Sequence, residues 1–275
     1  MVASLLILTD FFQAADRALD YTSNLAGEIG ARLVLLHVRR DSVLDPEMFT
    51  GQLSNLSQEA IALALNSVAG NLAVPVVAEV GHGQVAYALA DAVSRHHPTL
   101  VVLGRPDYSD LPDELIQTTS LDILRTAPYP MLVVPHTLVT TTPPRRVLLA
   151  VDGESFSLGA HAGAIRHLLA ALHAELTIVH VAPVAAAEAA PDPAIWDSAV
   201  QTGLAVELPK AVRTRTVVHH HPGEGILQAA RPEDFDLVMV VARPRSFLGQ
   251  LFHHSVTAHV LLHSALPVLV LPATE

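Results

Sequence analysis

Short apolar runs alternate along the chain with stretches whose apolar residues recur three and four positions apart. Ser4-Leu-Leu-Ile-Leu-Thr-Asp10 and Ala31-Arg-Leu-Val-Leu-Leu-His-Val38 are runs of the first kind. They are too short for helices and too uniformly apolar for strands with one wet face, so they predict strands buried on both sides. Gln13 to Ile29 and Ser157 to Leu172 are of the second kind and predict amphipathic helices. A further helix is expected from about Val85 to His96, with a counterpart at Ile226 to Ala230. Strands alternating with helices imply right-handed crossovers and a parallel sheet.

The pattern occurs twice. Ser4 to Asp10 resembles Arg146-Val-Leu-Leu-Ala-Val-Asp152, and Ala31 to Val38 resembles Ala174-Glu-Leu-Thr-Ile-Val-His-Val181. Thr99-Leu-Val-Val-Leu-Gly104 matches Asp236-Leu-Val-Met-Val-Val241, and Pro130-Met-Leu-Val-Val-Pro135 matches Pro267-Val-Leu-Val-Leu-Pro272. The offsets are 142, 143, 137 and 137 residues, in the same order in both copies. Each half therefore reads as five strands with helices between them. The fold class expected is α/β, with two tandem doubly wound domains at residues 1–137 and 145–275. The Thr- and Pro-rich segment 138–144 is the linker. Asp45 to Ala69 looks helical, whereas Val184 to Ala190 reads as a loop followed by a helix start.

Composition narrows the function classes. With 51% apolar and 16% charged residues the chain is no disordered tail. Its net charge of −11 argues against nucleic acid as a partner. It has no cysteine, so disulfides, thiolate metal sites and cysteine nucleophiles are excluded. The start lacks a basic region, and no apolar run approaches the roughly 20 residues of a membrane span. The expectation is a soluble, cytoplasmic protein without a membrane partner. A Walker loop, a Gly-x-Ser-x-Gly elbow and a Gly-x-Gly-x-x-Gly turn are all missing.

These runs resemble the universal stress protein family over nearly the whole chain. Val151-Asp152-Gly153-Glu154-Ser155 is close to the family's Val-Asp-Gly-Ser, where the first half has only Thr9-Asp10. Both second strands end in His-Val, and both last strands follow the family's Pro-Val-Leu-Val-Val. The resemblance implies five-stranded parallel sheets of the adenine nucleotide alpha hydrolase-like kind. It also implies an internal pseudo-dimer made through the last strands, since apolar edges left bare invite aggregation.

Many members bind ATP through a loop after the fourth strand: Gly, two residues, Gly, nine residues, Gly, then Ser or Thr. Glycines let backbone N–H groups close on phosphate, and the next helix N-terminus adds its dipole. The first half keeps Gly104 and Thr118 but has Asp107 and Gln117 at glycine positions, with Asp110, Asp113 and Glu114 nearby. The second half has Val241, Pro244 and His254 at the glycines and keeps Ser255. By resemblance Asp10 and Asp152 would face the base, and Val38 and Val181 would lie near it. Arg243, Arg245 and Ser246 would attract an anion, and Gly153 would allow close approach. No cofactor is expected, though ATP or another anion fits the second half better than the first.

The 16 histidines raise another possibility. If His219-His220-His221 ends a strand, His219 and His221 share a face as metal ligands could, with Glu224 or His253 as a third. A solvated strand end is the plainer reading. His259 and His263 lie one turn apart near His253 and His254, but Val260 stands where a zinc-protease motif needs glutamate. His37 and His180 read as hydrogen-bonded strand-end residues, and Ser155 and Ser157 as helix caps. Gly81-His82-Gly83 reads as a tight turn after the third strand. The leading expectation is a non-enzymatic stress-response regulatory or ligand-binding protein with an unidentified regulatory partner and room for further homodimerisation. The alternatives are a nucleotide binder with slow hydrolysis or phosphotransfer, and a metal- or pH-responsive module.

Overall fold

The computed structural model describes residues 3–9, 13–39, 58–107, 120, 122–123, 129–183, 193–204, 208, 211–243 and 255–273. The first half contributes strands β1 (Ser4–Leu8), β2 (Arg32–Arg39), β3 (Val76–His82), β4 (Leu100–Arg105) and β5 (Met131–Pro135). Its helices are α1 (Gln13–Ile29), α2 (Gln58–Gly70) and α3 (Val85–His96). The second half contributes β6 (Arg146–Val151), β7 (Glu175–Ala182), β8 (Arg213–Val218), β9 (Leu237–Ala242) and β10 (Val268–Pro272). Its helices are α4 (Ala162–Ala171), α5 (Pro193–Gln201), α6 (Pro222–Ala229) and α7 (Val256–His263).

All ten strands form one sheet in the order β3-β2-β1-β4-β5-β10-β9-β6-β7-β8. Within each half every pairing is parallel. Each half thus has the order 3-2-1-4-5, whose switch point lies between its first and fourth strands. Successive strand residues bury on opposite faces. Leu5 and Ile7 join the core under α1, α2, α4 and α5, while Leu6 joins the core under α3, α6 and α7. This two-sided burial is why the central strands β1, β4, β5, β6, β9 and β10 carry few polar residues, whereas the outermost strand β8 is exposed and mostly polar.

The halves meet where the family resemblance expects. β5 and β10 pair antiparallel, with Leu132 opposite Leu269, Met131 opposite Val270 and Val133 opposite Val268. At the repeat offset of 137, Leu269 is the counterpart of Leu132, so the pseudo-two-fold axis passes between these two leucines. Polar ties cross the same boundary. Arg105, at the end of β4, donates to the carbonyls of Leu261 (2.6 Å) and Ser264 (2.7 Å), the free carbonyl end of α7. Asn24 of α1 donates to the Thr141 carbonyl at 3.0 Å, and Arg145 pairs with Glu28 at 2.5 Å. Ahead of β9, Asp236 accepts from the backbone N–H groups of Arg145 and Arg146 and from the Arg146 guanidinium.

Several boundaries differ from the sequence reading. The helix expected from Ser157 begins at Ala162, after a 3-10 turn at Gly159–His161. The helix expected from Ile226 begins at Pro222, because Pro at the first position gives up an N–H that has no helical partner anyway. Gly81 and His82 belong to β3, and only Gly83, with φ of 84°, makes the turn. Of the helix expected over Asp45 to Ala69, Gln58–Gly70 is α2 and the earlier part lies outside the described residues, as does Val184 to Ala190. Among the described residues no helix is long and apolar enough to cross a membrane.

Leu132 and Leu269 are both buried and share one face. Each change to Ala should cost about 2–5 kcal/mol in urea unfolding. Because the two side chains are cross-strand neighbours, the double variant should depart from the sum of the singles by at least about 0.5 kcal/mol.

Candidate functional site

The switch point of the second half lies between β6 and β9. Asp152 follows β6 and Arg243 follows β9, so the two side chains face each other across the mouth of the crevice. Arg243 Nε donates to Asp152 Oδ2 at 2.9 Å and Nη2 donates to Oδ1 at 2.8 Å. Nη2 also donates to the Glu154 carbonyl at 2.9 Å, and Nη1 to the Ser155 carbonyl at 3.1 Å. The Glu154 carboxylate adds a longer contact, 3.7 Å from Nε. Four of the five N–H groups of this guanidinium therefore already have acceptors. Its side chain is 14% exposed, against 54% for Asp152, so the pair presents its carboxylate side to solvent.

Burial alone would raise the Asp152 carboxyl. The hydrogen bonds and charge of Arg243 outweigh it and hold the group below the usual carboxylate range. Gly153 completes the turn with φ of 86°, a conformation that strains any residue with a side chain. A Cβ there would also stand 3.3 Å from Ile195 of α5. Arg243, placed by sequence as a free attractor of anions, is thus the internal partner of Asp152. The sequence signal for this pairing is positional: an acid and a base each follow one of the two strands that flank the switch point.

The neighbouring strand ends are built alike in both halves. His180 Nδ1 lies 3.1 Å from the Val151 carbonyl, and His37 Nδ1 lies 2.9 Å from the Thr9 carbonyl. A carbonyl only accepts, so Nδ1 carries the proton in each ring, and Nε2 of a neutral ring is an acceptor. The next residues, Val38 and Val181, pack into the core beneath α3 and α6. Val181 Cγ1 comes so close to α6 that a Cβ on Gly225 would stand 2.6 Å from it. Ser255 is the N-cap of α7, its Oγ accepting from the Ala258 N–H at 3.0 Å. Its own proton remains to be donated. Ser157, expected as a helix cap, is not one: Leu158 precedes the 3-10 turn and His161 the helix, and the Ser157 Oγ accepts from the Gly159 N–H at 3.1 Å within the turn.

In the first half Gly104 lies near the end of β4, opposite Val134. Asp107 follows it, with its carboxylate 4.0 Å from His136 Nε2. Asp10, Thr118, Arg245, Ser246, His253 and His254 lie outside the described residues.

The shared-face argument for His219 and His221 does not hold. β8 ends at Val218, and His221 is already the N-cap of α6. The His219 ring instead turns onto the His221 backbone, with Nδ1 2.9 Å from its carbonyl oxygen and 3.1 Å from its nitrogen. Glu224, named as a third ligand, lies 3.0 Å from His259 Nε2. Among the described residues no three His, Asp or Glu side chains converge as a metal would require.

A doubly wound α/β fold present in two copies, with an acid–base pair spanning the second switch point, defines a class of architecture rather than a reaction. The family model described as "Universal stress protein family" matches the chain twice, at residues 1–135 and 144–272, and the chain belongs to that family. No protein of curated function matches it significantly. Among solved structures it is similar to a universal stress protein from Archaeoglobus fulgidus, with TM-score 0.71, 17% identity and 98% of each chain covered. It is also similar to a putative universal stress protein from Pseudomonas aeruginosa, with TM-score 0.59, 19% identity, and 99% of this chain and 94% of that one covered. The cytoplasmic domain of a prokaryotic cation chloride cotransporter shares the fold, with TM-score 0.52, 11% identity, and 100% of this chain and 96% of that one covered.

Two variants test this geometry. Arg243→Ala should cost about 1 kcal/mol, since one partner is half exposed. The Asp152 carboxyl is depressed in the folded state, so its contribution is full above the unfolded value of about 4 and lost as pH falls through the lower folded value. The gap between parent and variant in urea unfolding should therefore close in acid below about pH 4. Gly225→Ala should cost about 1–3 kcal/mol, because a branched side chain on a buried strand cannot withdraw from the new methyl.

Proposed function

We propose that the chain is a non-enzymatic, stress-linked ligand-binding or regulatory protein whose phosphate loops have degenerated. The observation that carries this reading is the closed Asp152–Arg243 pair at the second switch point. A carboxylate held by a guanidinium and depressed below its ordinary range is a poor general base at neutral pH. A guanidinium with four of its N–H groups engaged has little left for a transferring phosphoryl group. The loops support the same reading: Val241, Pro244 and His254 replace glycine in the second half, and Asp107 and Gln117 in the first. Ligand binding of a weak kind belongs to the second half, where Ser255 keeps a donor at a helix N-terminus and Arg245 adds charge.

The test is titration of the nucleotide-free full chain with ATP and AMP by calorimetry, beside mass spectrometry of any nucleotide retained on purification. Weak binding without turnover is expected. Arg245→Ala should weaken it about tenfold or more, as a charge-assisted contact implies, while Asp107→Ala should leave it unchanged. Steady ATP hydrolysis abolished by Asp152→Asn would overturn the non-enzymatic reading.

A further inference from the structure

The halves differ on the face under α3 and α6. Strand register makes Glu79 of β3 and Arg215 of β8 counterparts: Glu79 pairs with Leu36 and Arg215 with Val179, and those two residues correspond at the repeat offset of 143. In the first half α3 has 12 residues, and its last turn lies over Glu79. Arg95 Nη1 is 2.7 Å and His96 Nε2 3.1 Å from the Glu79 carboxylate. In the second half α6 has only 8 residues and stops about one turn short. The uncovered sheet forms a cavity of about 450 Å³ lined by Arg146, Thr177, Arg213, Arg215 and Phe235, with Glu175 and Asp234 at its side.

The charges of this groove are unevenly satisfied. Asp234 is held by Arg231 at 2.6 Å, Arg146 by Asp236 at 2.6 Å, and Glu175 lies in the field of Arg146. Arg213 and Arg215 stand exposed on the same face of β8 and form no hydrogen bond or ion pair with any described residue. In a chain of net charge −11, the strand carries two cations unanswered among the described residues, where its counterpart carries an answered anion.

β8 is also an edge. The N–H of His219 donates to the Ala182 carbonyl of β7, so the backbone groups of Val217, Arg215 and Arg213 face β7 as well. Those of Thr214, Thr216 and Val218 therefore point away from the sheet, with no strand beyond them among the described residues.

We propose that β8 and the groove beside it form a docking site for an extended acidic peptide of a partner protein. The peptide adds as an eleventh strand, with carboxylates at alternate positions over Arg213 and Arg215. Main-chain bonds to Thr214, Thr216 and Val218 supply affinity, and the arginines supply selectivity. The partner restores in trans, with inverted sign, the charge pairing that α3 gives Glu79 in the first half. The site lies at the opposite strand ends from Asp152 and does not depend on the ligand reading there.

The probe is a fluorescein-labelled eight-residue peptide alternating glutamate with valine, titrated by anisotropy against the full chain at low ionic strength. Saturable binding is expected, with no binding of the lysine counterpart. Arg213→Glu/Arg215→Glu should weaken it about tenfold or more. Arg213→Ala/Arg215→Ala should weaken it less, and circular dichroism verifies the fold of both. Thr216→Pro deletes an outward N–H at an edge position that tolerates proline, and should also weaken binding. Asp152→Asn should leave it unchanged. The proposal is overturned if the parent shows no saturable binding, or if the charge-reversed double variant binds as well as the parent. It is also overturned if Thr216→Pro has no effect while inorganic phosphate competes, which would mark a small-anion site. Self-association of the charge-reversed variant together with no peptide binding by the parent would mean that the arginines only guard the edge, and would overturn it too.

Discussion

The structure depends on covering two apolar strand edges with each other. β5 and β10 are buried throughout, and each would present a row of unpaired backbone groups on apolar residues if its half stood alone. Joining them antiparallel satisfies both rows at once and turns two edges into the centre of a ten-stranded sheet. Because both copies lie on one chain, the encounter carries no concentration dependence. The secondary ties make sense around this seam. Arg105 closes the open end of α7, Arg145 and Asn24 draw the connecting segment onto α1, and Asp236 clamps the start of β6.

Much of this was legible in the sequence because burial on two faces leaves a simple trace. A five-residue run such as Met131 to Pro135 has few alternatives to a buried strand, and the family resemblance implies pairing of the two last strands, but the register that sets Leu132 against Leu269 comes from the structure. The α1 range was readable for the related reason that its apolar stripe is long. What escaped were features fixed by backbone turns and single hydrogen bonds. α6 begins at Pro222 because proline suits the first helical position, which periodicity does not reveal. The histidines before it leave the strand for the same reason. At the site, residue identity located Asp152 and Arg243, but only the strand order brings them together across 91 positions. Without that order Arg243 looked like a free cation.

The two halves share a frame and have diverged in what they do with charge. The strand-end histidines hold the same backbone carbonyl in both, which ties them to the frame. The residues after the first and fourth strands differ, and so do the helices over β3 and β8. A buried repeat restrains core residues through packing, whereas loops and helix ends change at little cost. Differences between the halves therefore accumulate in loops, at helix ends and on the outer strands and not in the core.

The antiparallel seam also sets the polarity of the whole molecule. Strands of the two halves run in opposite directions, so the crevices at their carboxyl ends open toward opposite rims of the sheet. The open edges β3 and β8 lie at the two extremes of the strand order. In assembly terms the molecule is divalent: were both edges equally receptive, units would join end to end without limit. The two edges are unequal: β3 carries a carboxylate answered from α3, and β8 carries two exposed arginines, so end-to-end joining would not be symmetrical.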